Sequence, residues 1–337
     1  MSTPVSLFRR FLTVLALLAV ASLAPASASA QAAASETARA EPAEPLVSAA
    51  WLKTHLSDPD LVVLDIRSAL DGGGAEAYLK AHIPGAVHSD YDKAGWRVTR
   101  SNIPLMLPTV PELEKLIGEL GIDEDSQVVV VPAGVHVLDF GAAARVYWTL
   151  KVLGHRNVSI LDGGFAAWTA DPANPTESGK RAPSPKIFTA ALDKSLLASV
   201  EDVEATSRSG NASLIDARPG TFFSGKVKHD KALAYGHIPG ARNVDSALLY
   251  DPKTNRLMPK QELATIFASL PAGPVTSYCN TGHWAATDWF VLSEILGRTD
   301  VKLFPGSMVQ WTADDRRPVE SQRTKWDDLK KALGLGS

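Results

Sequence analysis

Four blocks of this 337-residue sequence occur twice, in the same order and at nearly the same spacing. Leu61-Val-Val-Leu-Asp65-Ile-Arg67 is matched by Leu214-Ile-Asp216-Ala-Arg218, and His82-Ile-Pro-Gly-Ala86 by His237-Ile-Pro-Gly-Ala241. The apolar run 128–131 is matched by 275–278, and 157–168 by 300–311, with Gly163 against Gly306 and Trp168 against Trp311. A chain that repeats itself in register folds as two copies of one unit, so whatever architecture suits one half must suit both.

Within each half, short apolar runs alternate with segments of helical period. In the first half, 61–64, 128–131 and 158–161 read as buried strands, while 110–120 and 142–153 read as helices, each stopped by a glycine, Gly121 and Gly154. In the second half 275–278 and 301–304 read as strands, and 260–270 and 285–296 as helices. Strands that alternate with helices give a parallel sheet covered on both faces. The fold class is therefore α/β, as two tandem domains over 46–170 and 198–330, joined by a proline-rich linker over 171–197.

The first thirty residues stand outside this pattern. Arg9 and Arg10 precede a mostly apolar run, 11–21, which is too short to span a bilayer comfortably, and Ala28-Ser29-Ala30 forms an Ala-x-Ala cleavage site before Gln31. This predicts a signal peptide over 1–30 and export, with the general route favoured over the twin-arginine one. The expected destination is the periplasm, the extracellular space being the other. Residues 31–45, rich in Ala, Glu and Pro, read as a disordered leader, and no membrane attachment is expected once the signal is cleaved. The formal net charge of −3 becomes about −5 without the two arginines, and charges of both signs are interspersed, which is no footprint for nucleic acid.

An exported chain with one cysteine, Cys279, has no internal disulfide. Such a thiol is either an inert packing group or a reactive one. Its position favours the second. Cys279 follows the strand 275–278 and precedes the helix that starts near 285, so it stands at the carboxyl end of a parallel strand, facing a helix amino terminus. Unpaired amides and the helix dipole there favour an anion, and a thiolate so placed is expected to have a depressed pKa. Gly282 lets the loop Asn280-Thr281-Gly282-His283-Trp284 curl with its amides inward.

The Asp-x-Arg after the first strand of each half, Gly236-His-Ile-Pro-Gly-Ala241, the six-residue loop headed by Cys279, and Leu161-Asp-Gly-Gly164 followed by Trp168 together resemble the tandem-domain rhodanese-like sulfurtransferases. The resemblance covers about residues 47 to 320. It implies two rhodanese-like domains of which only the second is catalytic. That agrees with the first half, where the place of Cys279 is taken by Pro132.

The resemblance implies a double displacement. Cys279 takes the outer sulfur of thiosulfate or 3-mercaptopyruvate, becomes a persulfide, and passes that sulfur to cyanide or a thiol, with no metal and no cofactor. The partners are then a small-molecule sulfur donor and an acceptor, a protein sulfur acceptor being a further candidate. Thr281 and Gly282 suit the mercaptopyruvate pattern, whereas Asn280, His283 and Trp284 fit neither pattern cleanly. His283 supplies a cation to the donor or faces solvent, and Trp284 is read as a packing residue. Arg218 is the candidate grip for the donor's anionic end, with pairing to Asp216 as its other role. A second arginine, usual four residues later, is Phe222 here; Lys226, Lys228 and His229 are the candidates to compensate. By position, Asp71, His82 and Thr281 match a relay ascribed to some mercaptopyruvate enzymes, although the duplicate His237 argues that His82 holds a turn.

Other readings compete. A related dual-specificity phosphatase would close its loop with arginine, where this chain has Ala285 and Ala286, and no protease signature accompanies Cys279. A periplasmic persulfide carrier without turnover, or a thiol redox sensor, remains the alternative to an enzyme.

Overall fold

The computed structural model describes residues 43–324, apart from Gly72, together with Asp327. The predicted signal peptide, and the leader up to 42, lie outside the described residues.

The first domain contains β1 (Leu46–Val47), α1 (Ala49–His55), β2 (Leu61–Asp65), α2 (Gly74–Lys80), β3 (Val87–His88), β4 (Val98–Arg100), β5 (Ile103–Met106), α3 (Val110–Glu119), β6 (Gln127–Val131), α4 (Val137–Val152), β7 (Val158–Leu161) and α5 (Gly164–Thr169). Its five-stranded sheet has the order β1-β7-β6-β2-β3, and every pairing is parallel. Val128 to Val131 in the central β6 are all fully buried, as a strand covered on both faces requires.

The second domain contains α6 (Val200–Ser209), β8 (Ser213–Asp216), α7 (Gly220–Phe223), β9 (Arg242–Asn243), β10 (Tyr250–Asp251), β11 (Arg256–Leu257), α8 (Lys260–Ile266), β12 (Val275–Tyr278), α9 (Trp284–Phe290), β13 (Val301–Leu303) and α10 (Ser307–Trp311). Its parallel sheet runs β13-β12-β8-β9, and a bridge from Leu197 to Leu303 extends it on the side where β1 lies in the first domain.

The duplication extends to individual hydrogen bonds. The Trp168 indole donates to Pro175 O, and the Trp311 indole to Pro318 O. His82 bridges to Glu177, and His237 to Glu320. Asp65 holds Arg67 as Asp216 holds Arg218. Phe165 N and Ala166 N donate to the carbonyls of Pro132 and Ala133, as Met308 N and Val309 N donate to those of Cys279 and Asn280. The corner that carries the thiol in one half is thus kept, with proline, in the other.

Two helices join the halves. α4 is buried on nearly every side, unlike an ordinary surface helix, because it packs against its own sheet on one side and α9 on the other. It begins five residues before the expected start at Ala142: the His136 ring accepts from Leu138 N while the Asp139 carboxylate accepts from Val135 N and His136 N, a capping arrangement built on histidine. At the contact, Phe290 of α9 meets the rings of Tyr147 and Phe140 edge-on, with centroids 5.0 and 5.7 Å away. After Phe290 the helix widens into a π-helical turn, Val291–Ile295, whose Glu294 accepts from the Tyr147 hydroxyl at 2.6 Å and pairs with Lys151 at 3.4 Å. One buried cluster runs through both halves, from Leu64 and Val130 through Val146 to Phe290, Ile215 and Val275.

The connection over 171–197 lies extended along the first domain. Lys186 N donates to Gly118 O, Ala191 N to Leu153 O and Asp193 N to Val152 O, and Phe188 is buried. The β4–β5 hairpin, which periodicity did not reveal, turns at Ser101 and Asn102, both at positive φ (50° and 64°). It leaves the first domain to lie against the second: β5 meets α10, and Ile103 packs on the cluster of Tyr278, Phe304 and Trp311.

Candidate active site

Cys279 follows β12 directly, and the loop from Asn280 to His283 leads into α9. Its carbonyls are all turned away from the centre of the loop. Cys279 O and Asn280 O accept from Met308 N and Val309 N of α10, at 3.1 and 3.0 Å. Thr281 O and Gly282 O accept from Arg145 Nη1, at 3.4 and 3.1 Å. Since carbonyl and amide point in opposed directions along a tight loop, this frees the amides. Among the described residues, the N–H groups of Asn280, Thr281, Gly282, His283 and Trp284 donate to no other protein group. A concave run of free amides is an anion nest. The Cys279 amide instead donates to Ser307 Oγ at 3.0 Å, and Ser307 Oγ donates to Phe304 O, which pins the start of the loop to β13 and α10.

Gly282 is required twice. Its φ is +74°, and a Cβ there would lie 2.1 Å from Arg145 Nη1 and 2.7 Å from Pro305 O.

Cys279, Asn280, Thr281, His283 and Trp284 line a cavity of about 220 Å³ together with His229 of the second domain and Leu70, Arg97, Leu105 and Leu138 of the first. A larger hollow, about 690 Å³, lies beside Asp314 and Arg317, but its lining does not include Cys279. Chemistry rather than volume therefore selects the smaller one. Among the described residues, no group of three or more His, Cys, Asp or Glu side chains is placed to hold a metal ion.

His283 is neither a cation nor solvent-facing. It is buried, its Nδ1 sits 3.1 Å from the Tyr91 hydroxyl, and its Nε2 has no partner. Burial, and after it the Arg97 charge, pushes its pKa down to about 3, so the ring is neutral. Gly141 of α4 makes room for it, since a Cβ there would lie 2.8 Å from Nε2.

Arg218 is in contact with Asp216 rather than with the cavity. Its Nε and Nη2 donate to the Asp216 carboxylate, Nη2 also donates to Gly236 O, and Nη1 reaches Asn280 Oδ1 at 3.4 Å. Its duplicate Arg67 makes the same fork to Asp65 and donates to Ala81 O. The shared role is to tie the strand end to the turn, and at Arg218 also to hold the loop through Asn280. Lys226 is exposed and outside the cavity lining, and Lys228 Nζ donates to Ala232 O. Phe222 packs edge-on against Trp284, with centroids 5.8 Å apart.

The relay residues do not meet. Asp71 accepts from the amides of Ser68, Gly73 and Gly74, so it caps a turn. His82 binds Tyr78 O through Nδ1 at 2.9 Å and stacks on the Tyr78 ring. His237 binds Phe223 O and stacks on Phe223 in the same way. Both histidines sit at the Pro-Gly turn, and among the described residues no hydrogen bond or ion pair joins Asp71 or His82 to Thr281.

Three residues escaped the sequence analysis: Tyr91, Arg97 and Arg145. Arg145 is fully buried under the loop, and its Nε and Nη2 have no protein partner. Desolvation lowers its pKa to about 10, which leaves it a cation at neutral pH. No local motif marks these residues: Tyr91 and Arg145 touch the loop from more than a hundred positions away, and Arg97 reaches the cavity from Tyr91 and Asp92, which hold it.

The comparisons with known proteins follow the same geometry. A profile of the rhodanese-like domain matches residues 48–171 and again 199–314. The chain belongs to the rhodanese family. The 3-mercaptopyruvate sulfurtransferase of Escherichia coli K12 is 33% identical over 282 residues, covering 81% of this chain and 97% of that protein. The thiosulfate sulfurtransferase of Rattus norvegicus is 32% identical over 291 residues, covering 82% and 94%. The crystal structure of SseA from E. coli, described as a rhodanese fold of the 3-mercaptopyruvate sulfotransferases, superposes with a TM-score of 0.66 at 32% identity, over 78% of this chain and 98% of that one. This rhodanese is thus an enzyme of the sulfurtransferase kind, built from two rhodanese domains with parallel sheets flanked by helices.

Proposed function

We propose that this chain moves a sulfane sulfur from a small anionic donor, thiosulfate or 3-mercaptopyruvate, to a thiol or cyanide through a persulfide on Cys279. The observation that carries the reading is the placement of the sole thiol at the cavity wall, inside a loop whose five following amides are free.

The first step balances for either donor. The Cys279 thiolate attacks the outer sulfur of thiosulfate, the S–S bond of the donor breaks, and sulfite leaves with the bonding pair. With 3-mercaptopyruvate the C–S bond breaks, and the pair passes to the carbon as the enolate of pyruvate, which then takes up a proton. Either way the enzyme holds Cys–S–S⁻, whose charge the free loop amides are placed to stabilise. In the second step cyanide or a thiolate attacks the outer sulfur and the Cys279 thiolate leaves. Neutral His283 lowers no barrier by charge; it packs the loop against Tyr91.

Intact mass tests this directly. Incubation with either donor is expected to add about 32 Da, roughly one sulfur, to the wild type and nothing to Cys279→Ser, and cyanide is expected to remove it over many cycles. An adduct that forms but is not released leaves the carrier reading in place of the enzyme. Equal turnover in the serine variant overturns both.

Export belongs to the same reading and rests on the pattern of residues 1–30. A mature amino terminus at Gln31 in periplasmic protein is the expected result; an intact Met1 in the cytoplasm would remove it.

A further inference from the structure

We propose that the anionic end of the sulfur donor is held across the domain interface by Arg97, a residue of the half that carries no nucleophile. The proposal rests on the sulfurtransferase reading for the identity of the donor, but its test does not need turnover.

Cys279 is buried, 1% exposed, and the cavity it lines contains a single permanent cation among its lining residues, Arg97. Arg218 is engaged by Asp216, Gly236 O and Asn280, and Lys226 lies outside. Arg97 is held in place from two sides. Its guanidinium lies over the Tyr91 ring, 4.3 Å from the centroid, and its Nη2 donates to Asp92 at 2.7 Å. The side chain is only 10% exposed, its Nε is buried without a partner, and Nη1 makes no hydrogen bond to any described residue. A buried donor without an acceptor is costly unless something else supplies one, and Arg97 is part of the cavity lining.

His229 supplies a second contact from the opposite domain. Its Nδ1 accepts from Lys231 N at 3.1 Å, so in the neutral ring the proton is on Nε2, which is left as a donor. Beside the loop's own Asn280, Thr281 and His283, Arg97 and His229 are the polar lining residues from outside the loop, while Leu70, Leu105, Leu138 and Trp284 form the apolar wall. A donor bound this way touches both domains at once: its sulfur at Cys279 and its charge at Arg97.

Charge-matched thiol reagents give the test, and the lone cysteine makes the label unambiguous. In each methanethiosulfonate reagent the Cys279 thiolate attacks the sulfenyl sulfur, a mixed disulfide forms and methanesulfinate leaves. The readout is the rate with the anionic 2-sulfonatoethyl reagent divided by the rate with the neutral methyl reagent. Arg97→Gln is expected to lower this ratio about ten- to a hundred-fold, as loss of one charge-assisted contact would. Arg97→Lys should hold it within about three-fold, because the charge remains. The double variant Asp92→Asn, Arg97→Gln removes the carboxylate that the single change would leave unpaired, and must show the same loss.

A ratio unchanged in Arg97→Gln overturns the proposal, and so does a general fall in both rates, which marks a disturbed loop. Recovery of the ratio in the double variant also overturns it, because repulsion by Asp92 would then be the cause. In turnover, thiosulfate and mercaptopyruvate form separate arms. KM is expected to rise for both with kcat nearly held; a fall in kcat at constant KM refutes a binding role. Should neither donor turn over at all, the sulfurtransferase reading fails while the reagent ratio still decides the fate of Arg97.

Discussion

Gly282 concentrates the demands on the loop: positive φ, the Arg145 guanidinium on one side and Pro305 O on the other. Gly282→Ala is expected to cost at least ~1–3 kcal/mol in stability and to abolish the Cys279 adduct, checked by denaturant midpoint and intact mass. Two buried titrating groups act in opposite directions on stability. Asp288 of α9 has no partner for either carboxylate oxygen, and burial, with Asp245 and Asp216 behind it, holds its pKa well above the carboxylate range. The folded state therefore keeps a proton that the unfolded state loses above about pH 4, and stability falls as pH rises, by up to ~1.4 kcal/mol per unit. His283, held down to about 3, titrates in the unfolded state first, so its contribution falls as pH drops from 6.5 towards 3. Between pH 4 and 6.5 the two slopes partly cancel. Asp288→Asn should remove the alkaline-side loss, so denaturant midpoints of variant and wild type should separate further at pH 8 than at pH 5. Cys279 and its loop could be read from sequence, because a strand-loop-helix corner is local. Arg145 and Arg97 could not: an arginine in an apolar helix, 136 positions from Thr281, and another before a hairpin, farther still, carry no sign of that loop.

The β4–β5 hairpin shows why some elements stay hidden. Its strands are short, it bulges between Val98 and Arg100, and its turn uses Ser101 and Asn102 instead of glycine. Neither a clear alternation nor a standard turn dipeptide marks it. Leu105, on the cavity wall, is itself at φ +62°, a conformation that leucine rarely adopts and that the surrounding contacts must hold. Arg97 lies one residue before this hairpin. Asn102→Val is expected to cost ~1–2 kcal/mol by forcing a β-branched residue into the left-handed region, and to raise the donor KM more than it lowers kcat. Asn102→Gly should be close to neutral in both assays. The strands 158–161 and 275–278, by contrast, match the expectation residue for residue, because each is short, buried along its whole length and set between a loop and a helix that bound it.

Across the molecule, one buried cluster passes through α4 and α9, so the two repeats share their interior. The described residues should unfold in a single transition, with tryptophan fluorescence and Cys279 accessibility changing together. Phe290→Ala, which removes a ring packed between Tyr147 and Phe140, is expected to lower the stability of the whole by ~3–5 kcal/mol without splitting that transition. Two separate transitions would mean that the halves fold independently. The duplication and its α/β class were evident from the four repeated blocks. The shared interior was not, since periodicity says which residues are buried but not against which neighbour.

Arg145 reaches from one repeat to the carbonyls of Thr281 and Gly282 in the other, which makes the halves non-interchangeable. The half without the nucleophile is thereby the scaffold of the other half's reacting loop, and a change at Arg145 is felt at Cys279 rather than in its own repeat. Recombination with a foreign amino-terminal half should therefore give a soluble but inert hybrid, unless the incoming half brings its own guanidinium to that spot.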